Sequence, residues 1–171
     1  MELHADYLQM MLRLLAAVGA GACIGYERSF HGRPAGLRTH VLVCMASAVL
    51  MLVTVYEDHW VRIAGEARLD PTRMAQGIMT GIGFLGAGVI MKDGLSVRGL
   101  TTAACVWVTA CVGAACAIAQ WQIVVIGVVL VLILLVFGGP FERAIDRRWP
   151  GRPSGPSDQP PNRTRAPGPE M

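Results

Sequence analysis

Five long apolar stretches constrain this chain more than any other feature. They cover residues 7–26, 41–56, 74–91, 100–119 and 122–141, the second reaching back toward Leu37. A helix rising about 1.5 Å per residue needs roughly 20 apolar residues to cross a hydrocarbon layer about 30 Å thick. Charged residues make up only 16% of the chain, against about a quarter in soluble domains. The expected fold class is therefore all-α, a bundle of five transmembrane helices within residues 1–149. Residues 150–171 are rich in Pro, Gly, Ser and Arg. They cannot bury enough apolar surface to fold, so a disordered tail is expected there.

The first stretch reads as a retained span. A cleaved signal peptide wants a positive start, and "MELHADY" carries Glu2 and Asp6 with no Lys or Arg. Cationic residues fall unevenly on alternate sides of the spans. One side holds Arg28, Arg33, Arg38, Lys92, Arg98, Arg143, Arg147, Arg148 and Arg152; the other holds Arg62, Arg68 and Arg73. The positive-inside rule then puts the C-terminus in the cytoplasm and the N-terminus outside, and an odd number of spans demands opposite sides. The formal net charge of +3 is thus a topology signal and lends nothing to nucleic-acid binding. The expected location is a membrane, with the lipid bilayer as the first partner.

Glycines are densest in "MAQGIMTGIGFLGAGVIM", residues 74–91. A phosphate loop needs a preceding strand and, in the P-loop form, a Lys-Ser/Thr pair, and this segment has neither. Gly77 and Gly81 are four apart, as are Gly83 and Ala87, and Gly86 and Gly88 add to the bare surface. Small residues at such spacing let helices approach closely in lipid, so a helix-packing face is expected. The fourth stretch is mostly Ala, Cys, Thr and Gly, whereas the fifth is Val, Ile and Leu nearly all round. The third and fourth helices are accordingly the expected core, and the fifth the periphery. Cys23, Cys44, Cys105, Cys111 and Cys116 all lie in spans without a CxxC pair and read as packing residues.

The polar residues that stand out lie near span ends. Glu27 and Arg28 close the first helix, "HGRPAG" is turn chemistry, and Arg38, Thr39 and His40 open the second helix. Arg38 reads either as a membrane anchor or, with free helix N–H groups, as a site for an anion such as a lipid phosphate. In "LDPTRM", Asp70 suits an N-cap and Pro71 the first helical position, while Arg73 either snorkels or serves a site. The loop "KDGLSVRGLTTAA" adds Asp93, Arg98, Thr101 and Thr102, where the hydroxyls can cap a helix or bond across helices. Glu27, Arg28, Arg38, Asp93 and Arg98 make a candidate cytoplasmic polar cluster, with structural anchoring as the competing account. Arg13 lies inside the first span, where charge is costly and often functional, but near enough to an end to snorkel. No Asp or Glu falls within a span, which weighs against a dedicated Mg²⁺ path, although carbonyls can line a pore. No catalytic triad, HExxH or carboxylate pair has enzyme spacing. An enzyme, a cofactor and a metal site are not expected.

"IGYER", "GRPAGLRTH", "DPTRMAQG", "GIGFLGAGVI" and "VRGLTTAA" follow one another in this order. Together they closely resemble the MgtC/SapB family of bacterial membrane proteins, over roughly residues 12–121. The resemblance implies an inner-membrane protein linked to growth at low Mg²⁺, with some relatives supporting survival inside host cells. It implies action through other membrane proteins, including ion-motive and ATP-handling machinery. The family's signature positions fall on Glu27, Arg28, Gly36, Leu37, Arg38, Thr39, Asp70, Arg73, Gly81, Gly83, Phe84, Leu85, Gly86, Gly88, Arg98, Gly99, Leu100, Thr101 and Thr102. Several virulence-associated relatives carry a folded cytoplasmic domain after the last helix, and here the expectation is a membrane-only member.

Two functional classes follow. One is a regulator that contacts other integral membrane proteins, or a second copy of itself, through small-residue faces and the polar cluster. The other is a channel or transporter for a small ion or solute. A lipid-binding structural protein is a third reading.

Overall fold

The computed structural model describes residues 2–56, 70–93 and 96–148; Arg62, Arg68 and the tail expected at 150–171 lie outside the described residues. Among the described residues there are five helices: α1 (Glu2–Phe30), α2 (Leu37–Tyr56), α3 (Pro71–Val89), α4 (Leu100–Ala117) and α5 (Trp121–Arg148). Between α3 and α4 lies a short antiparallel hairpin, β1 (Met91–Asp93) with β2 (Ser96–Arg98), in register Met91↔Arg98.

Among the described residues, four helical segments are long and apolar enough to cross a membrane: Asp6–Phe30, Leu37–Tyr56, Leu100–Ala117 and Trp121–Gly139. The third expected span, α3, is a helix of 19 residues but is not among these four. Its glycines, Gln76, Arg73 and two threonines dilute its apolar character.

The turns are built from local chemistry. Gly32 has φ +62°; its N–H donates to Ser29 O at 3.0 Å, and the Arg33 N–H to Arg28 O at 3.0 Å. That is the paired closure by which a left-handed residue ends a helix. Ser29 Oγ then accepts the Leu37 N–H at 2.7 Å, so the end of α1 supplies the first cap of α2. At α3, Asp70 Oδ1 accepts the Thr72 N–H at 2.8 Å and the Thr72 hydroxyl at 2.7 Å, with Pro71 following. This is the expected helix start. Thr101 and Thr102 do not cap α4; its N-cap is Gly99, at φ +88° and pressed against the Val89 carbonyl.

The core lies where α1, α2 and α4 meet, where small residues such as Ala17, Cys44, Ala48, Ala110, Cys116 and Ala117 are buried together with Ile24 and Val106. A Cβ on Gly21 would lie 2.8 Å from His40 O, and one on Gly25 would lie 2.7 Å from Leu37 Cα. A Cβ on Gly113 would collide with the Cys44 carbonyl. These three glycines set the α1–α2 and α2–α4 approaches. The fourth helix is core and the fifth peripheral, as its composition implies: on α5, Val124 is the buried residue among those described.

The third helix departs from expectation. A Cβ added at Gly77, Gly81, Gly83 or Gly88 would meet nothing within 4 Å, and at Gly86 it would meet only Ala103 Cβ, at 3.8 Å. Ala87 is exposed as well. Within this chain α3 packs through Ile78 and Ile82, one turn apart, which are its buried residues. Those two aliphatic side chains are buried in the hydrophobic core, and with that face turned inward the glycines lie outward.

Candidate functional site

The α1–α2 connection and the start of α4 converge at one end of the bundle. Side chains at position i of a helix lean toward its N-terminus. His40, level with Gly25 of the antiparallel α1, therefore leans back toward the turn, alongside the next residues of α1, Glu27 and Arg28. All three polar side chains are buried: Glu27 is 8% exposed, Arg28 4% and His40 0%. Thr102 and Cys105 of α4 are buried too. The charges of Glu27 and Arg28 reach both His40 and Cys105.

The bonding in this cluster places a proton on Nδ1 of both histidines. His40 Nδ1 lies 2.9 Å from Gly36 O; a carbonyl only accepts, so Nδ1 carries a proton and donates. His31 Nδ1 donates to Glu27, lying 2.9 Å from Oε1 and 3.0 Å from its backbone oxygen. Glu27 Oε2 and Arg28 Nη1 are 3.7 Å apart, an ion pair without a hydrogen bond. Glu27 Oε2, Arg28 Nε and His40 Nε2 are buried and have no hydrogen-bond partner among the described residues.

The other candidate residues are dispersed. Gly36 lies against Ser29 Oγ, where a Cβ would block the α2 cap. Arg38 and Thr39 are exposed on the first turn of α2, and Arg98 and Thr101 are exposed around the start of α4. Among the described residues no ion pair joins Arg38 or Arg98 to Glu27. Asp70 and Arg73 are exposed at the start of α3. The Thr72 hydroxyl and N–H, with Arg73 nearby, hold the Asp70 carboxyl below the usual carboxylate range. Arg13 is engaged at the far end of the bundle. Its Nη1 donates to Ala117 O at 2.7 Å, and its guanidinium stands 5.1 Å from the Tyr56 ring centroid. It meets the negative end of α4 and stacks on the last residue of α2.

Sequence reading does not single out His40 as a site residue, nor Gly21, Gly25 and Gly113 as packing residues. The first two glycines carry a signal, since they are four apart in α1. His40 carries none, because one histidine at a helix start says nothing about what lies across from it.

The family model for the MgtC family matches residues 14–144, most of the chain. The chain belongs to the MgtC family. Among its relatives in this family is "Putative magnesium transporter YhiD" of Escherichia coli strain K12, 41% identical over 127 residues, covering 74% of this chain and 59% of that protein. Protein SrpB of Synechococcus elongatus is 40% identical over 140 residues, covering 77% of this chain and 76% of SrpB. Protein MgtC of Salmonella typhimurium strain LT2 is 43% identical over 124 residues, covering 71% of this chain and 49% of MgtC. The chain thus spans between half and three-fifths of the YhiD and MgtC sequences. No solved structure matches it. MgtC family membership and the four long apolar helices make this a multi-pass membrane protein.

Proposed function

We propose that this protein regulates other integral membrane proteins of the bacterial inner membrane, in Mg²⁺-linked homeostasis. It crosses the membrane five times, with the N-terminus outside and the C-terminus in the cytoplasm. At 19 residues, α3 is about 28 Å long and completes the fifth crossing. The excess of Lys and Arg on the α1–α2 and α3–α4 connections supports the orientation. The setting rests on relatives named MgtC and on YhiD, whose name attaches it to magnesium. The protein is not an enzyme in this reading and binds no nucleic acid.

The observation that carries the regulatory role is the outward face of α3. Gly77, Gly81, Gly83 and Gly88 leave bare backbone facing away from the chain's own bundle, and Phe84 beside them is 83% exposed. Bare backbone in lipid favours close approach of another helix, either from a regulated membrane protein or from a second copy. Exposed Arg38, Thr39, Arg98 and Thr101 would add contacts at the membrane surface. Gly81→Leu is expected to abolish support of growth at low Mg²⁺ while the protein level stays normal. Growth equal to wild type at normal protein level would refute the role of this face.

A second reading, transport of Mg²⁺ or another small ion, is favoured by the name of YhiD and by the charged cluster inside the bundle. Purified protein in liposomes separates the two. Saturable ion flux supports transport, and its absence, alongside the Gly81→Leu growth defect, supports regulation.

A further inference from the structure

The outward face of α3 is polar as well as bare. Arg73, Gln76, Thr80 and Phe84 are exposed along it, beside the open Gly77 and Gly81. Two contacts fix its depth. A Cβ at Gly86 would lie 3.8 Å from Ala103 Cβ, and Met79 Sδ lies 3.3 Å from Cys111 Sγ. Helix α3 therefore runs antiparallel to α4, with Gln76 about level with Ala114, one turn deeper than the Ala117 carbonyl that Arg13 reaches. Thr80 satisfies its hydroxyl within its own helix, on Gln76 O at 2.8 Å. The Gln76 side-chain amide has no hydrogen-bond partner among the described residues. An amide facing hydrocarbon is costly unless another polar group pairs with it.

A second copy of this chain supplies that group without further requirement. All copies insert in one orientation, so a twofold axis along the membrane normal sets α3 parallel to α3 and each residue of the stripe near its counterpart. An amide both donates and accepts and is its own complement. Asp70 and Arg73, exposed one turn apart, carry opposite charges, so the same axis brings each Arg73 toward Asp70 of the second copy. We propose that two copies of this chain dimerise through α3, with the Gln76 amides paired and the backbones closest at Gly77 and Gly81. This rests on the reading of the face as a contact surface in the membrane and names what covers it. A helix of another protein then reaches α3 only by displacing the second copy.

Disulfide trapping of the full chain in native membranes, with copper phenanthroline as oxidant, tests this. Thr80→Cys is expected to give a covalent dimer of the chain at a yield well above two references. One is wild type, whose five native cysteines set the background; the other is Val125→Cys on the exposed face of α5. Adding Gln76→Leu should remove most of the Thr80→Cys dimer, whereas Gln76→Asn, which keeps an amide, should retain it. Both substitutions lie on the exposed face, outside the chain's own core. A Thr80→Cys yield no higher than wild type would overturn the proposal, as would undiminished dimer with Gln76→Leu. If that yield is absent while a photo-probe at Phe84 captures a different membrane protein, the second copy is excluded and the contact reading stands. Lipid adducts alone at Phe84 exclude both.

Discussion

At residue scale, the charged groups of this protein divide into those that fasten helices and those that face outward. Arg13 fastens. An intramembrane arginine reads equally as functional or as snorkelling, and its partners decide, since it closes the C-terminus of α4 and stacks on Tyr56. Arg13→Met removes a charged donor from the Ala117 carbonyl, a bond typically worth about 1.5–3 kcal/mol. The variant should unfold more readily by about that amount in reversible unfolding from bicelles, and Arg13→Lys should lose less. Asp70 gives a pH-dependent counterpart. Its carboxyl is held below the ordinary value, first by the Thr72 hydroxyl and then by the Thr72 N–H. The stabilisation is therefore complete above the unfolded pKa of about 3.9 and is lost as pH falls through the lower folded value. Amide exchange at Thr72, corrected for its intrinsic pH dependence, should lose protection only in that acidic window; Asp70→Ala should lack the protection at neutral pH as well. Asp70 and Pro71 are readable from sequence because a cap is a local device. The His40 cluster is not, because its partners come from a different helix.

At element scale, glycine spacing announces that a close approach is allowed without naming the helix that makes it. Gly21 and Gly25 in α1 share the four-residue spacing of Gly77 and Gly81 in α3, yet only the α1 pair touches a neighbour within the chain. What separates them is the opposite face. In α3, Ile78 and Ile82 are the residues buried in the bundle, and the glycines lie away from it. The role of α4 as core was readable from composition, because Ala, Cys, Thr and Gly on every side leave no face suited to lipid alone. Substitution separates the two kinds of glycine. Gly113→Ala places a Cβ on the Cys44 carbonyl and should destabilise the fold by about 1–3 kcal/mol, as overpacking typically does. Gly83→Ala meets nothing and should stabilise α3 by about 0.5–1 kcal/mol, the usual gain over glycine in a helix interior. Unfolding midpoints of the two variants in the same detergent provide the comparison.

At the scale of the whole molecule, the described residues form a tight three-helix unit of α1, α2 and α4 with two less embedded helices beside it. The helical architecture was legible from run length alone, because the thickness of a bilayer fixes how long an apolar run must be. The packing order was not, since lipid gives apolar residues no reason to prefer one neighbour and leaves the choice to shape. The proposed regulatory role requires the exposed glycine face of α3 to be a protein contact surface within the membrane. The most direct measurement is site-specific photo-crosslinking in native membranes, with the probe at Phe84 on that face and, as a reference, at exposed Leu134 on α5. A discrete adduct with an integral membrane protein, or with a second copy, is expected at position 84 and lipid adducts at position 134. Lipid adducts alone at both positions would contradict it.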